Sequence, residues 1–205
     1  MADTLYLSLW YPNLRLTDLG QKLAQVLSAF AAHGGEARVY SATVWPVNWN
    51  ETPVFQRIWG RGERGAEPRQ AVVEALDLLH DDFAYEFQIE WSLWELDLSA
   101  PERRWVREPR LARVIGFGPL FDSGAYESEG HIKIDFGSDA PFLEEGAELG
   151  LAAGKIEENV RQLVSLTHAV EKESGSTARL LWSELGENLA ERLAARLSGN
   201  SGAGN

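Results

Sequence analysis

From Phe83 to Leu93 every second residue is large and apolar: Phe83, Tyr85, Phe87, Ile89, Trp91 and Leu93 alternate with Glu86, Gln88, Glu90 and Ser92. A period of two sustained over that length is a strand with one face packed and the other toward water. Antiparallel sheets tolerate that asymmetry, whereas parallel sheets are covered on both faces and read as continuous apolar runs. The chain is therefore expected to build an antiparallel sheet with its helices gathered on one side. Trp94 breaks the pattern, because it falls on the polar parity.

The flanking segments fit that plan. Leu5, Leu7 and Leu9 alternate with Tyr6, Ser8 and Trp10 before Pro12, which predicts a strand. Leu19, Leu23, Val26, Leu27 and Phe30 recur at helical spacing between a cap at Thr17 or Asp18 and the pair Gly34 and Gly35. ARVYSATVWPV and TPVFQRIWG read as strands, and Pro68 suits the first turn of a second helix carrying Val72, Val73, Leu76 and Leu79 on one side. Strand, helix, strand, strand, helix, strand is the order of a ferredoxin-like βαββαβ unit, so residues 1–98 are expected to form a ferredoxin-like half of an α+β fold with a mainly antiparallel sheet.

Residues 99–199 read as a ββαβα half that extends or packs on the first. After the turn LSAPE, RRWVRE returns as a hairpin partner, Pro109 interrupts, and LARVIGFG and HIKIDFG supply strands. Ile156, Val160, Leu163, Val164, Thr167 and Val170 draw a helical stripe, ARLLWSE reads as a strand, and Leu189, Leu193 and Leu197 mark a last helix. The tail 200–205 is low in complexity and expected to be disordered.

Composition narrows the function classes. With 205 residues, 44% of them hydrophobic, the chain can bury a sizeable core. The absence of cysteine excludes disulfides, thiolate metal sites and cysteine nucleophiles. Neither a signal-peptide pattern nor an apolar run of the roughly 18–20 residues a membrane helix needs is present, so a soluble, cytoplasmic protein is expected. A net charge of -12 opposes general binding to nucleic acid or anionic lipid and suits a basic partner or simple solubility. Eight tryptophans exceed what such a core absorbs, and Trp45, Trp49, Trp94 and Trp105 are the candidates for a partner-binding surface.

No complete catalytic or cofactor motif appears. Glu86 and Glu90 share a strand face but lie about 13 Å apart, beyond the roughly 5–9.5 Å of a glycosidase pair, and are expected to face water. Arg103, Arg104, Arg107, Arg110 and Arg113 form a basic cluster around Trp105, whose partners across a hairpin would be Glu86, Glu90 and Glu95. GRGERG, residues 60–65, matches G-x-G-x-x-G between a strand and a helix, but the alternating polarity of the next strand and the missing βα units argue against a dinucleotide cofactor. A small anion at Arg61, Arg64 and Arg69 is the weaker form of that idea. GLAAGK, residues 150–155, is one residue short of a P-loop and lacks its Ser or Thr.

Of the four histidines, His131 is the best placed: it shares strand parity with Lys133 and Asp135, and Asp122 precedes it in an acidic loop with Glu127 and Glu129. Asp122, His131, Asp135 and Asp139 are the candidate acid/base or metal-binding set, although His131 and Asp135 stand about 13 Å apart along a strand. Asp77, His80 and Asp81 have metal-ligand spacing on what reads as a solvent-facing helix surface, and no metal or cofactor is expected. The leading expectation is a non-catalytic binding or regulatory protein, a candidate homodimer, whose acidic, Trp-bearing surface holds a basic protein partner. Inhibition of a basic enzyme in the manner of an immunity protein is one concrete form. The alternative is a small-molecule enzyme or binder around Asp122, His131 and Asp135, or a phosphate-ligand site at Arg61, Arg64 and Arg69.

Overall fold

The structure, a computed structural model, describes residues 3–33, 36–97, 104–143 and 151–184. Seven strands form one antiparallel sheet: β1 (Thr4–Trp10), β2 (Val39–Pro46), β3 (Phe55–Ile58), β4 (Phe83–Asp97), β5 (Arg104–Phe117), β6 (Ile132–Ser138) and β7 (Ala178–Ser183), in the order β3-β2-β4-β5-β6-β1-β7. Five helices accompany it: α1 (Leu16–Ala29), α2 (Pro68–Ala75), the single turns α3 (Tyr126–Glu129) and α4 (Ala140–Leu143), and α5 (Leu151–Ser174). Among the described residues no helix is long and apolar enough to cross a membrane.

The α+β class and the antiparallel sheet are as expected, but the first six elements do not close into the ferredoxin-like sheet. β1 would then share a four-stranded sheet with β2, β3 and β4; instead it pairs with β6 and β7, and β5 and β6 separate it from β4. The cause is the β4–β5 hairpin, which pairs residue for residue from Ala84 with Phe117 to Asp97 with Arg104 and so occupies one edge of β4 while β2 occupies the other, leaving no edge of β4 for an antiparallel β1. Pro109 does not interrupt β5. Below Arg113 no described residue pairs with the strand on its β6 side, so among the described residues Pro109 lies at a sheet edge where its missing N–H costs no ladder bond. α2 is shorter than its apolar stripe suggests, because Leu76–Leu78 tighten into a 3-10 turn. The LSAPE turn, Arg103, the expected helix at Leu189 to Leu197 and the tail 200–205 lie outside the described residues.

The main core sits between one sheet face and α1, α2 and α5. Leu5, Leu7 and Leu9 of β1, Tyr85, Phe87, Ile89, Trp91 and Leu93 of β4, and Ile132, Ile134 and Phe136 of β6 meet Leu19, Leu23 and Leu27 of α1 and Leu163, Leu166 and Val170 of α5. β2 ends its pairing with β4 at Ile89, which would leave the rest of that edge of β4 bare. α5 covers it with two buried amides: Asn159 Oδ1 accepts from the Trp94 amide at 2.9 Å, its Nδ2 donates to the carbonyls of Trp94 at 2.8 Å and Pro141 at 2.9 Å, and Gln162 Nε2 donates to the Ser92 carbonyl at 3.0 Å. An edge strand is thereby closed by side chains instead of another strand.

Candidate functional site

Among the described residues the other sheet face carries no long helix. Its register lines up side chains from different strands: Gln88, Arg113, Asp135, Tyr6 and Trp182 stand in one row across β4, β5, β6, β1 and β7, and Glu86, Ile115, Lys133 and Ser8 stand in the next. A segment from Gly118 to Gly130, containing α3, folds back over one end of this face. Two glycines fix it there. A Cβ on Gly118 would lie 2.5 Å from the Asp81 carbonyl oxygen, and one on Gly130, whose φ is +91°, would lie 2.8 Å from the Leu9 nitrogen. Phe121 then packs against Ala84, Ile115 and Phe117 as a second, smaller core.

Between that segment and the sheet lies a cleft of about 580 Å³, lined by Tyr6, Trp45, Trp49, Glu86, Arg113 and Lys133 among others. Trp49 is 39% exposed and is held by edge-on contacts with Trp45, Phe117 and Phe121 at centroid distances of 5.8, 6.1 and 5.0 Å. Strain gathers at the rim: Val47, Asp122 and Ser123 have φ of 59°, 46° and 60°, in the left-handed region that non-glycine residues avoid, and Val47 is β-branched. Such conformations cost of order 1–3 kcal/mol each and cluster where a structure positions functional groups. The Asp122 amide donates to the Val47 carbonyl at 2.7 Å, so the two strained turns brace each other.

Four carboxylates, Glu86, Asp122, Glu129 and Asp135, face two cations in this cleft, and both cations are engaged. Arg113 Nε donates to Asp135 Oδ2 at 3.1 Å and its Nη2 reaches the same oxygen, while Asp135 Oδ1 accepts from the Gly137 amide at 2.7 Å. Lys133 pairs with Glu129 and lies 4.2 Å over the ring of Tyr6. Tyr6 donates to Glu184 at 2.6 Å, and burial together with that bond pushes its hydroxyl up to about 12. Glu86 and Asp122 have no ion-pair partner among the described residues. Burial holds the Glu86 carboxyl above the usual glutamate range, against the pull of the Arg113 charge. Glu86 is thus half-buried in the floor of the cleft, where its strand parity suggests a fully wet face.

The candidate acid/base residues are not brought together. Asp122 and Asp135 line the cleft, but His131 lines a separate pocket, and Asp139 is buried, its Oδ1 accepting from the Asp3 amide at 2.9 Å. The four tryptophans divide as well. Trp45 stands opposite Ala84, so Trp94 lies ten residues further along β4, roughly 33 Å away at about 3.3 Å per residue. There Lys155 Nζ and the Arg107 guanidinium lie over the Trp94 ring at 3.5 and 5.3 Å, and Trp105 packs against the main core.

Of the basic cluster, Arg110 pairs with Glu95, Arg104 with Asp97 and Arg107 with Glu158, serving hairpin and helix, while Arg113 pairs with Asp135 in the cleft. Arg61 lies 5.8 Å from the Tyr40 ring, and Arg69 lines a groove between α1 and α2 to which neither Arg61 nor Arg64 contributes. Within GRGERG, Gly62–Arg64 form a 3-10 turn, and Ala66 after it bridges to Val39. From Leu151 onward GLAAGK is part of α5. His80 leaves the helix surface: it joins Asp81 and Asp82 in the turn before β4, with donor atoms within 4.8 Å of one another and His80 and Asp81 exposed.

Glu86, with Trp45 and Trp49 as its wall, is the pairing that sequence reasoning missed, since it depends on which strands are neighbours and on the loop that folds over them. No protein-family model, curated protein or solved structure matches the chain.

Proposed function

We propose that the protein is a non-catalytic binding protein whose open sheet face receives a cationic group of a basic partner, seated against Trp49 and Trp45 and neutralising Glu86. One observation carries this reading: Glu86 is a half-buried carboxylate that forms no direct ion pair among the described residues, in a tryptophan-walled cleft whose two cations, Arg113 and Lys133, are paired with Asp135 and Glu129. A carboxylate kept in such a place costs stability, and an incoming ammonium or guanidinium removes that cost. Aromatic faces add about 0.5–2 kcal/mol for a cation. The overall charge of -12 draws basic partners toward the surface before contact.

The test is a titration with agmatine, which carries both an ammonium and a guanidinium, followed by tryptophan emission and calorimetry at pH 7.5. Saturable binding should weaken at least tenfold in Glu86→Gln and in Trp49→Ala, and should be unchanged in Glu63→Gln on the distant glycine-rich loop. It should also fade as pH falls through the raised Glu86 value, because only the carboxylate attracts the cation. An isotherm that Glu86→Gln leaves intact would exclude this cleft as the cation site.

A further inference from the structure

A second pocket, of about 280 Å³, opens where the end of β1 meets the start of α1 and the far side of the 118–130 segment. It differs chemically from the cleft. Leu14, Leu16, Leu19 and Phe117 give it an apolar lining, and no Asp, Glu, Lys or Arg contributes to its wall. Its volume is at the low end of the roughly 300–1,000 Å³ of small-molecule sites, room for one substituted ring. A charged ligand would lose its hydration here with no counter-charge, so an uncharged one is favoured.

Among the polar side chains of the lining, Tyr11, Asn13, Tyr126 and His131, the imidazole offers a defined donor. Its Nδ1 accepts from the Tyr11 amide at 3.2 Å, a role that requires Nδ1 to be unprotonated and places the proton of the neutral ring on Nε2. Burial lowers the His131 value, which keeps the ring neutral near pH 7. Nε2–H has no partner among the described residues, leaving one free donor on a side chain that lines the pocket. Tyr126 stacks on the imidazole, its ring 5.0 Å away at 29°, so the pair forms a stack that an aromatic ring can extend.

We propose that this pocket binds a small, uncharged aromatic molecule through one hydrogen-bond acceptor directed at His131 Nε2–H, with its ring packed against Tyr126, Phe117 and Leu16. The site is separate from the cation cleft and does not depend on it. α3 divides the two, with Tyr126 in this pocket and Ser128 and Glu129 in the other.

Benzamide is a direct probe, with toluene lacking the acceptor, cyclohexanecarboxamide lacking the aromatic face, and benzoate carrying a charge. In aromatic proton–carbon NMR spectra at pH 7.5, benzamide should shift the His131 and Tyr126 signals saturably and leave those of the exposed His80 and His168 in place. Each of the other three should bind at least fivefold more weakly. Leu16→Trp, which fills the pocket, should abolish the response. If that variant does not fold, His131→Phe provides the second check: it keeps a flat wall but removes the donor, and benzamide should lose its advantage over toluene. Shifts at His131 no larger than those at His168, or a benzamide preference that survives His131→Phe, would overturn the proposal.

Discussion

Asn159→Leu tests how the sheet is closed. Asn159 is fully buried and makes three bonds, accepting from the Trp94 amide and donating to the carbonyls of Trp94 and Pro141 at 2.8–2.9 Å. Leucine has the same branching and larger methyl groups, so the substitution removes the bonds without opening a cavity and adds some overpacking. Each bond is worth about 1 kcal/mol net, and a buried backbone group left unpaired costs about 1–3 kcal/mol. The Trp94 groups are only part-buried and can recover some hydration, while the Pro141 carbonyl cannot. A net loss of about 3 kcal/mol follows, which at a urea dependence of about 2 kcal/mol/M moves the unfolding midpoint down by about 1.5 M. Asn159→Asp should be at least as harmful, since it keeps the acceptor but turns a carboxylate oxygen toward two carbonyls. Arg161→Ala, an exposed change on the same helix, should stay within about 0.5 kcal/mol. A midpoint for Asn159→Leu that matches Arg161→Ala would refute the idea that α5 closes the edge of β4.

The remaining expectations concern titration and the loop. Folded Glu86 holds its proton more tightly than the unfolded chain does, so in the window between its ordinary and raised values the folded state binds more protons and stability falls as pH rises. Glu86→Gln should therefore raise the neutral-pH melting temperature and remove that negative slope; an unchanged pH–stability profile would count against the buried carboxylate. His131 has the opposite sign: its folded value is lowered, so its contribution grows as pH rises toward the ordinary value of about 6.5 and is lost below, and its NMR midpoint should lie under 6.5. Gly130→Ala combines a positive φ with a Cβ 2.8 Å from backbone and should cost about 2 kcal/mol or more by chemical denaturation, with Trp49 emission changing as the loop shifts.

Much of the fold is legible because periodicity is local. The alternation from Phe83 to Leu93 names the buried residues of β4, and the spacing of Leu19, Leu23, Val26 and Leu27 names the inner face of α1. Strand order is different, because β1 and β6 recognise each other across more than a hundred residues and neither pattern records the other. The six-element order invites a compact ferredoxin-like unit, and the β4–β5 hairpin defeats it by pairing locally over the whole strand. Pro109 misleads for a related reason: proline excludes a central strand position, but whether a position is central depends on how far β6 reaches.

The same distinction governs the two sites. Parity places Glu86, Arg113, Lys133, Asp135 and Tyr6 on the polar side of four strands, and nothing in it says that one register row will hold Arg113 beside Asp135 while Glu86, in the next, makes no direct ion pair among the described residues. Parity also cannot distinguish a face in bulk water from the floor of a cleft, since that depends on the 118–130 segment folding over the sheet. His131 shows the limit most clearly. It shares parity with Asp135, yet its position just before β6, where α3 stands between the two cavities, puts it on the far side of that wall. The two proposed binding chemistries, one for a cation and one for a neutral ring, thus both depend on a single turn of helix pinned between Gly118 and Gly130. A change that displaces this turn should weaken both sites together, whereas Glu86→Gln and His131→Phe should each weaken only one.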